Sequence, residues 1–434
     1  MRYQPLSSSF YKNARNKFGK LLAQKSLAIF NSNDIYPIGA DSTMPFQQHR
    51  DIFYLCGVDQ EESILLLFPD AVEAKHREIL FLRETNDHIA VWEGAKLSKK
   101  QAVQLTGIET IYWLSEFNRV FQELSTQCER FYFNTNEHYR QAVETQTRED
   151  RFIKWCKKQY PAHGVAKSNP ILQQLRSVKD EEEIAQIQQA CDITEKGFRR
   201  VLSFIKPKVW EYEIEAELIH EFIRNRSRGF AYTPIIAAGN NANVLHYTEN
   251  NQELKDGDLL LIDAGCEING YASDITRTFP VNGKFSEAQK EIYDVVLNAQ
   301  KSAINSIKPG VSSNKPHETA CEIITNGLIK LGIMKSAEDL TKFYMHNTGH
   351  WLGLDVHDVG SKLINDEFRE FKSGMVTTVE PGIYIRRDDK IDSKYWGIGI
   401  RIEDDVLVTE TGNHVLSEKA IKDIDEIEHL MSQR

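Results

Sequence analysis

The apolar run Leu259-Leu260-Leu261-Ile262 ends in an acid, Asp263, and a second acid, Asp274, follows beyond an Asn269-Gly270 pair. Asn-Gly between two apolar runs is a strong hairpin signal. With Asn269 and Gly270 as the turn residues, Asp263 faces Thr276, and Asp274 lies two positions from Thr276 on the same face. The carboxylates then become diagonal neighbours, about 7–8 Å apart at the backbone. Buried together without counter-charge they repel, and one must be protonated. A bound cation removes that conflict.

Further donors lie downstream. HNTGHWLGLDVHD holds three histidines, His346, His350 and His357. Glu380 closes the apolar run Val376-Thr377-Thr378-Val379, and Gly397 to Asp405 alternates so that Arg401 and Glu403 share one face while Ile400 and Ile402 share the other. Taken singly, Asp263 reads as well as a turn former, and Glu403 as well as a half-exposed acid. Together Asp263, Asp274, Glu380 and Glu403 carry four negative charges, which two divalent cations neutralise. One imidazole with four carboxylates is a hard donor set that favours Mn²⁺ and admits Co²⁺, Fe²⁺ or Zn²⁺. Two such ions about 3.5–4 Å apart share a hydroxide and clamp a carbonyl, which is hydrolytic chemistry. Periodicity alone does not bring these segments together.

The positioning elements are legible in outline. Asp180 with Glu183 starts a long helix that Pro207 stops, and a second helix covers Tyr212 to Asn225. Ser286 with Gln289 caps a third that ends near Pro309-Gly310, and a fourth ends near Gly332. Strand-like runs cover Ser63–Phe68, Glu78–Leu82, Met375–Val379, Gly382–Ile385 and Ile398–Val408. Pro161, Gly164 and Pro170 mark a change of texture, which divides the chain into domains at 1–170 and 171–434. The fold class expected is α+β: helices clustered and strands largely antiparallel in the second domain, with a smaller mixed α/β first domain.

Composition excludes several classes. With 434 residues, 41% hydrophobic and 27% charged, the chain can bury a large core. A net charge of −10 argues against a broad footprint for nucleic acid or an anionic membrane. No apolar span is long enough to cross a bilayer, and no secretory signal is visible. The six cysteines show no zinc-motif spacing and read as reduced structural thiols of a cytoplasmic protein.

The segments LHYTEN (Leu245 to Asn250), LLLIDAGCEINGYASDITRTFPVNGKF, HNTGHWLGLDVHDVG, TVEPGIYI and GIGIRIEDDVLVT resemble the pita-bread metallopeptidases, the family of methionine aminopeptidase, prolidase and aminopeptidase P. The likeness is greatest to the bacterial aminopeptidase P branch. It extends into the first domain through DSTMPFQQHRDIFYLCG and Val91-Trp92-Glu93-Gly94.

The resemblance implies a pita-bread catalytic domain and release of the N-terminal residue from peptides with proline second. Carried over motif by motif, Asp263, Asp274, His350, Glu380 and Glu403 resemble the ligands of two metal ions, with Asp274 and Glu403 bridging. A metal-bridging hydroxide would attack the carbonyl before proline while Glu380 handles protons. His246 and His357 resemble the histidines that contact substrate and stabilise the tetrahedral intermediate. Arg401 and Tyr384 are candidates for pocket walls, and His346 for shaping the pocket. Asn347 departs from the family pattern, and only a local loop adjustment is expected from it.

Prolidase is the rival reading, since it shares all five ligands but cleaves dipeptides. A non-catalytic binding module is a rival of another class, disfavoured because every ligand-type residue is retained. Similar enzymes assemble as dimers or tetramers through the first domain, with Trp92 the candidate for an aromatic lent to a neighbouring chain.

Overall fold

The computed structural model describes residues 4–135 and 143–433, in two units, Pro5–Arg176 and a second built on Ser177–Arg434. The first unit is organised on a six-stranded mixed sheet. Its strands are β1 (Ser26–Asn31), β2 (Ile64–Leu67), β3 (Glu78–Leu82), β4 (Thr110–Trp113), β5 (Arg130–Phe133) and β6 (Gly164–Lys167), in the order β4-β3-β2-β1-β5-β6. The central strands are buried throughout, which is why they read as unbroken apolar runs. Pro161 and Gly164 do not end this unit: β6 and the helix Asn169–Arg176 belong to it. Leu172 is buried there, and Arg176 Nη1 donates to Asp51 Oδ1 at 2.7 Å in a buried ion pair.

In the second unit the helix Glu181–Phe204 begins with the expected capping box, Asp180 N donating to Glu183 Oε2 at 2.9 Å. It packs with the helices Glu211–Arg224, Glu287–Asn305 and Lys315–Lys330 around short antiparallel sheets. The first sheet joins β7 (Ile235–Ala238), β8 (Leu259–Ala264) and β9 (Ile275–Pro280). A second joins β10 (Val376–Val379), β13 (Asp404–Val408) and β14 (Asn413–Val415), and a third pairs β11 (Gly382–Tyr384) with β12 (Gly399–Arg401).

The hairpin register is the one the Asn-Gly pair predicts: Thr276 pairs with Asp263 and Ile268 with Tyr271. Asn269 and Gly270 have φ of 50° and 81°, the two positive values a tight hairpin turn requires.

The run Ile398–Val408 is not one strand. It breaks at Ile402-Glu403 into β12 and β13, which lie in different sheets. The cause is backbone competition: Glu403 N donates to Thr276 O at 3.0 Å and Ile402 N to Pro381 O at 3.3 Å. That break turns Glu403 toward the β8–β9 sheet.

Arg277 secures the same corner. Its guanidinium donates to Asp404 Oδ1 at 2.7 Å, to Glu403 O at 2.6 Å and to Ala420 O at 2.7 Å, and both charged side chains are fully buried. Burial alone would push the Asp404 carboxyl up, but Arg277 and Lys422 hold it down at about 2. Arg277→Met removes one partner of a buried pair, and a loss of about 3–5 kcal/mol in urea unfolding is expected. A loss below about 1 kcal/mol would show that Lys422, Gln300 and Ser417 satisfy Asp404 without Arg277.

Candidate metal centre

Three backbone devices bring the acids and the imidazole together. The hairpin carries Asp263 at the end of β8 and Asp274 just before β9. The segment Asn347 to Trp351 is laced to β10, with Thr378 N donating to His350 O at 2.9 Å and Glu380 N to Thr348 O at 2.8 Å. Gly349 permits this approach, since a Cβ there would sit 2.0 Å from Thr378 O. Glu403 is set by the break between β12 and β13.

The donor atoms form overlapping clusters within 4.8 Å: Asp263, Asp274 and Glu403; His350, Glu380 and Glu403; and Asp274, His350 and His357. His350 Nε2 lies 3.3 Å from Asp274 Oδ2 and 3.6 Å from Glu380 Oε1. Its Nδ1 meets Trp351 O at 3.0 Å. A carbonyl only accepts, so Nδ1 carries the proton and the Nε2 lone pair faces the carboxylates.

Burial, then mutual repulsion, makes the acids reluctant to ionise. Asp274 is pushed up to about 6 by burial. Glu380 is pushed up to about 8 by burial and by Asp274, and Glu403 is raised well above the usual range for the same reasons. Asp263 is raised by burial, against the pull of Arg401. Four crowded oxygen donors and one imidazole lone pair fit divalent cations well, because positive charge at their centre relieves both costs.

The remaining candidates fall in different places. Arg401 and Tyr384 are buried and bonded. Arg401 Nη2 donates to Asp263 Oδ2 at 2.5 Å and Nη1 to Tyr384 Oη at 2.9 Å, while Nε reaches Thr276 Oγ1 at 3.2 Å. Both therefore support Asp263 rather than lie open as bare walls. His346 Nδ1 meets Asn347 O at 2.9 Å, so its Nε2 accepts from Tyr384 Oη, also at 2.9 Å. Burial and Arg401 push the His346 imidazole down to about 4, so it is neutral.

His357 is exposed, with its ring centroid 4.0 Å from that of His350. His246 is exposed in the turn after the short helix Gly239–Asn243, and among the described residues no hydrogen bond joins it to the cluster. Asn347 is exposed, and the lacing to β10 that follows it, through Thr348 and His350, is intact. Trp92 lies on the helix Asp87–Glu93 of the first unit and is 77% exposed.

Sequence reasoning missed Tyr232 and Thr276. Tyr232 Oη donates toward Asp263 Oδ1 at 2.6 Å and Asp274 Oδ1 at 2.5 Å. Thr276 Oγ1 donates to Glu403 Oε2 at 2.6 Å. Thr276 had a signal, its position opposite Asp263. Tyr232 had none, because it lies in an irregular segment before β7.

Residues 185–410 match the model of metallopeptidase family M24, and residues 11–132 match that of the aminopeptidase P N-terminal domain. The Xaa-Pro aminopeptidase of Haemophilus influenzae is 41% identical over 402 residues, covering 90% of each chain. The structure of Pseudomonas aeruginosa aminopeptidase PepP superimposes with a TM-score of 0.92 at 35% identity, covering 100% of this chain and 99% of that one. Zn-substituted Escherichia coli aminopeptidase P in complex with product superimposes with a TM-score of 0.89 at 35% identity, covering 99% of each. An α+β unit that gathers four carboxylates and an imidazole is thus joined to a recognisable N-terminal domain, and the chain belongs to metallopeptidase family M24, in its aminopeptidase P branch.

Proposed function

We propose that this chain is an Xaa-Pro aminopeptidase, a metal-dependent hydrolase that releases the N-terminal residue from peptides with proline in the second position. The observation that carries the reading is the convergence of buried Asp274, His350 and Glu403 with half-buried Asp263 and Glu380 on one site. Relatives named for this activity cover most of the chain.

These five residues would hold two divalent ions, Mn²⁺ by the hardness of the set. Such ions supply a nucleophile from water at neutral pH and polarise the scissile carbonyl. The chain does the rest. Glu380 holds and passes the proton from its place beside His350. His357, beside His350, and His246, on its exposed turn, present N–H donors to the developing oxyanion. Arg401 and Tyr232 orient Asp263 by their hydrogen bonds. Neutral His346, held by buried Tyr384, shapes the pocket. The first domain carries oligomerisation, to a dimer or tetramer, and Trp92 is lent to a neighbouring chain's substrate entrance. The chain acts in the cytoplasm.

The test is release of the first residue from an Xaa-Pro-Xaa tripeptide by protein stripped with chelator and reloaded with Mn²⁺. Metal-dependent cleavage of the tripeptide, with little cleavage of an Xaa-Pro dipeptide, supports the reading. Cleavage confined to the dipeptide makes the chain a prolidase. Cleavage of neither, with metal bound, makes it a binding module.

Gly349→Ala probes the framework. The added Cβ must part Thr378 from His350, so metal affinity is expected to fall about 10–100-fold with the fold retained. Unchanged affinity in a metal titration would show that the lacing to β10 does not position His350.

A further inference from the structure

A second group of metal-ligand type lies in the first unit, in the connection between β2 and β3. His76 ends the short turn Ala74–His76, and Glu73 precedes it by three residues. Glu123 comes from the helix Phe117–Ser125, which follows β4. One donor atom from each of Glu73, His76 and Glu123 lies within 4.8 Å of the others.

The imidazole is the telling member. His76 is only 4% exposed, and its Nδ1 is buried with no hydrogen-bond partner. Glu123 Oε1 lies 3.8 Å from it, too far for a hydrogen bond. A buried ring nitrogen left unpaired carries a desolvation cost, and here it faces a carboxylate that it does not touch. The gap suits an ion that both can reach.

The carboxylates are held only lightly by other cations. Lys75 Nζ sits 2.7 Å from Glu73 Oε2 and Arg119 Nη1 sits 4.0 Å from Glu123 Oε2, and both cationic side chains are more than half exposed. Exposed pairs of this kind exchange readily with solvent. A stronger point charge would displace them without breaking the core.

We propose that Glu73, His76 and Glu123 form a binding site for one divalent transition-metal cation of Zn²⁺ type. One imidazole and two carboxylates are a borderline set that suits Zn²⁺, with water completing the coordination. The ion staples the β2–β3 connection to the helix Phe117–Ser125. It takes no part in peptide hydrolysis.

The test is equilibrium dialysis of the full chain against Zn²⁺ with no peptide present. Wild-type protein is compared with His76→Ala, Glu123→Gln and Lys75→Ala. Wild type is expected to bind one equivalent more than His76→Ala. Glu123→Gln, at an exposed position that does not threaten folding, should weaken that equivalent at least about tenfold. Lys75→Ala should tighten it, because the competing ammonium is gone. Melting curves check that each variant is folded, and tripeptide hydrolysis should be unchanged in all three. Equal stoichiometry in wild type and His76→Ala overturns the site. So does an equivalent that responds to His76→Ala but not to Glu123→Gln.

Discussion

Glu380→Gln lowers kcat on an Xaa-Pro-Xaa tripeptide by about 10³-fold, with KM little changed. The size of the effect follows from what the side chain does at one place. Its backbone is pinned by the bond from Glu380 N to Thr348 O, and its oxygens lie 3.6 Å from His350 Nε2 and 3.7 Å from His346 Nδ1. Glutamine keeps the shape and one acceptor oxygen but can neither carry the charge nor hold the proton. The loss should therefore appear in turnover, while substrate groups that meet His246 and His357 still bind. A metal titration of the same variant should show weakened binding of one ion. Retention of kcat to within tenfold would remove Glu380 from proton transfer and leave it as a ligand at most.

Metal removal is expected to make stability depend steeply on pH. Burial raises Asp274 to about 6 and burial with Asp274 raises Glu380 to about 8, above the values these groups have in an unfolded chain. A carboxyl with a raised folded pKa adds stability that is full below its unfolded pKa and is lost as pH rises through the folded one. The stripped protein should thus weaken from about pH 4 to about pH 8, by on the order of a few kcal/mol.

His346 works the other way below about 6.5, since its folded value of about 4 means the unfolded chain binds more protons there. The clean window is therefore about pH 6.5 to 8.5, where Glu380 and Glu403 dominate at the site. Glu183, buried and raised to about 7, titrates in both forms and cancels in the difference. Reloading with Mn²⁺ should flatten the dependence, because cations replace the protons. Melting temperatures with and without chelator measure this. A stripped protein as stable at pH 8.5 as at pH 6.5 would mean the carboxylates are not in electrostatic conflict.

Local chemistry made part of this molecule readable in one dimension. The Asn269-Gly270 turn sets the pairing of Asp263 with Thr276 because a two-residue loop leaves one register. The capping boxes at Asp180 and Ser286 begin their helices where the side chains say they should, since each satisfies backbone donors within three residues. The alternation through Ile400, Arg401, Ile402 and Glu403 sorted core from site: both isoleucines are in the apolar core, Arg401 bonds to Asp263, and Glu403 joins the carboxylate cluster.

What sequence periodicity could not contain is which faces meet. Arg401 finds Asp263 across 138 positions, Thr276 finds Glu403 across 127, and Tyr232 finds Asp263 across 31 from an irregular segment. The break at Ile402-Glu403, which aims Glu403 inward, exists because Thr276 O and Pro381 O compete for those two N–H groups. The chain alone thus specified the donor types, the local turn and the helix starts. The meeting of the donors, and the burial that drives their pKa values upward, came from long-range packing, because a face's polarity says that it must be covered but not by what.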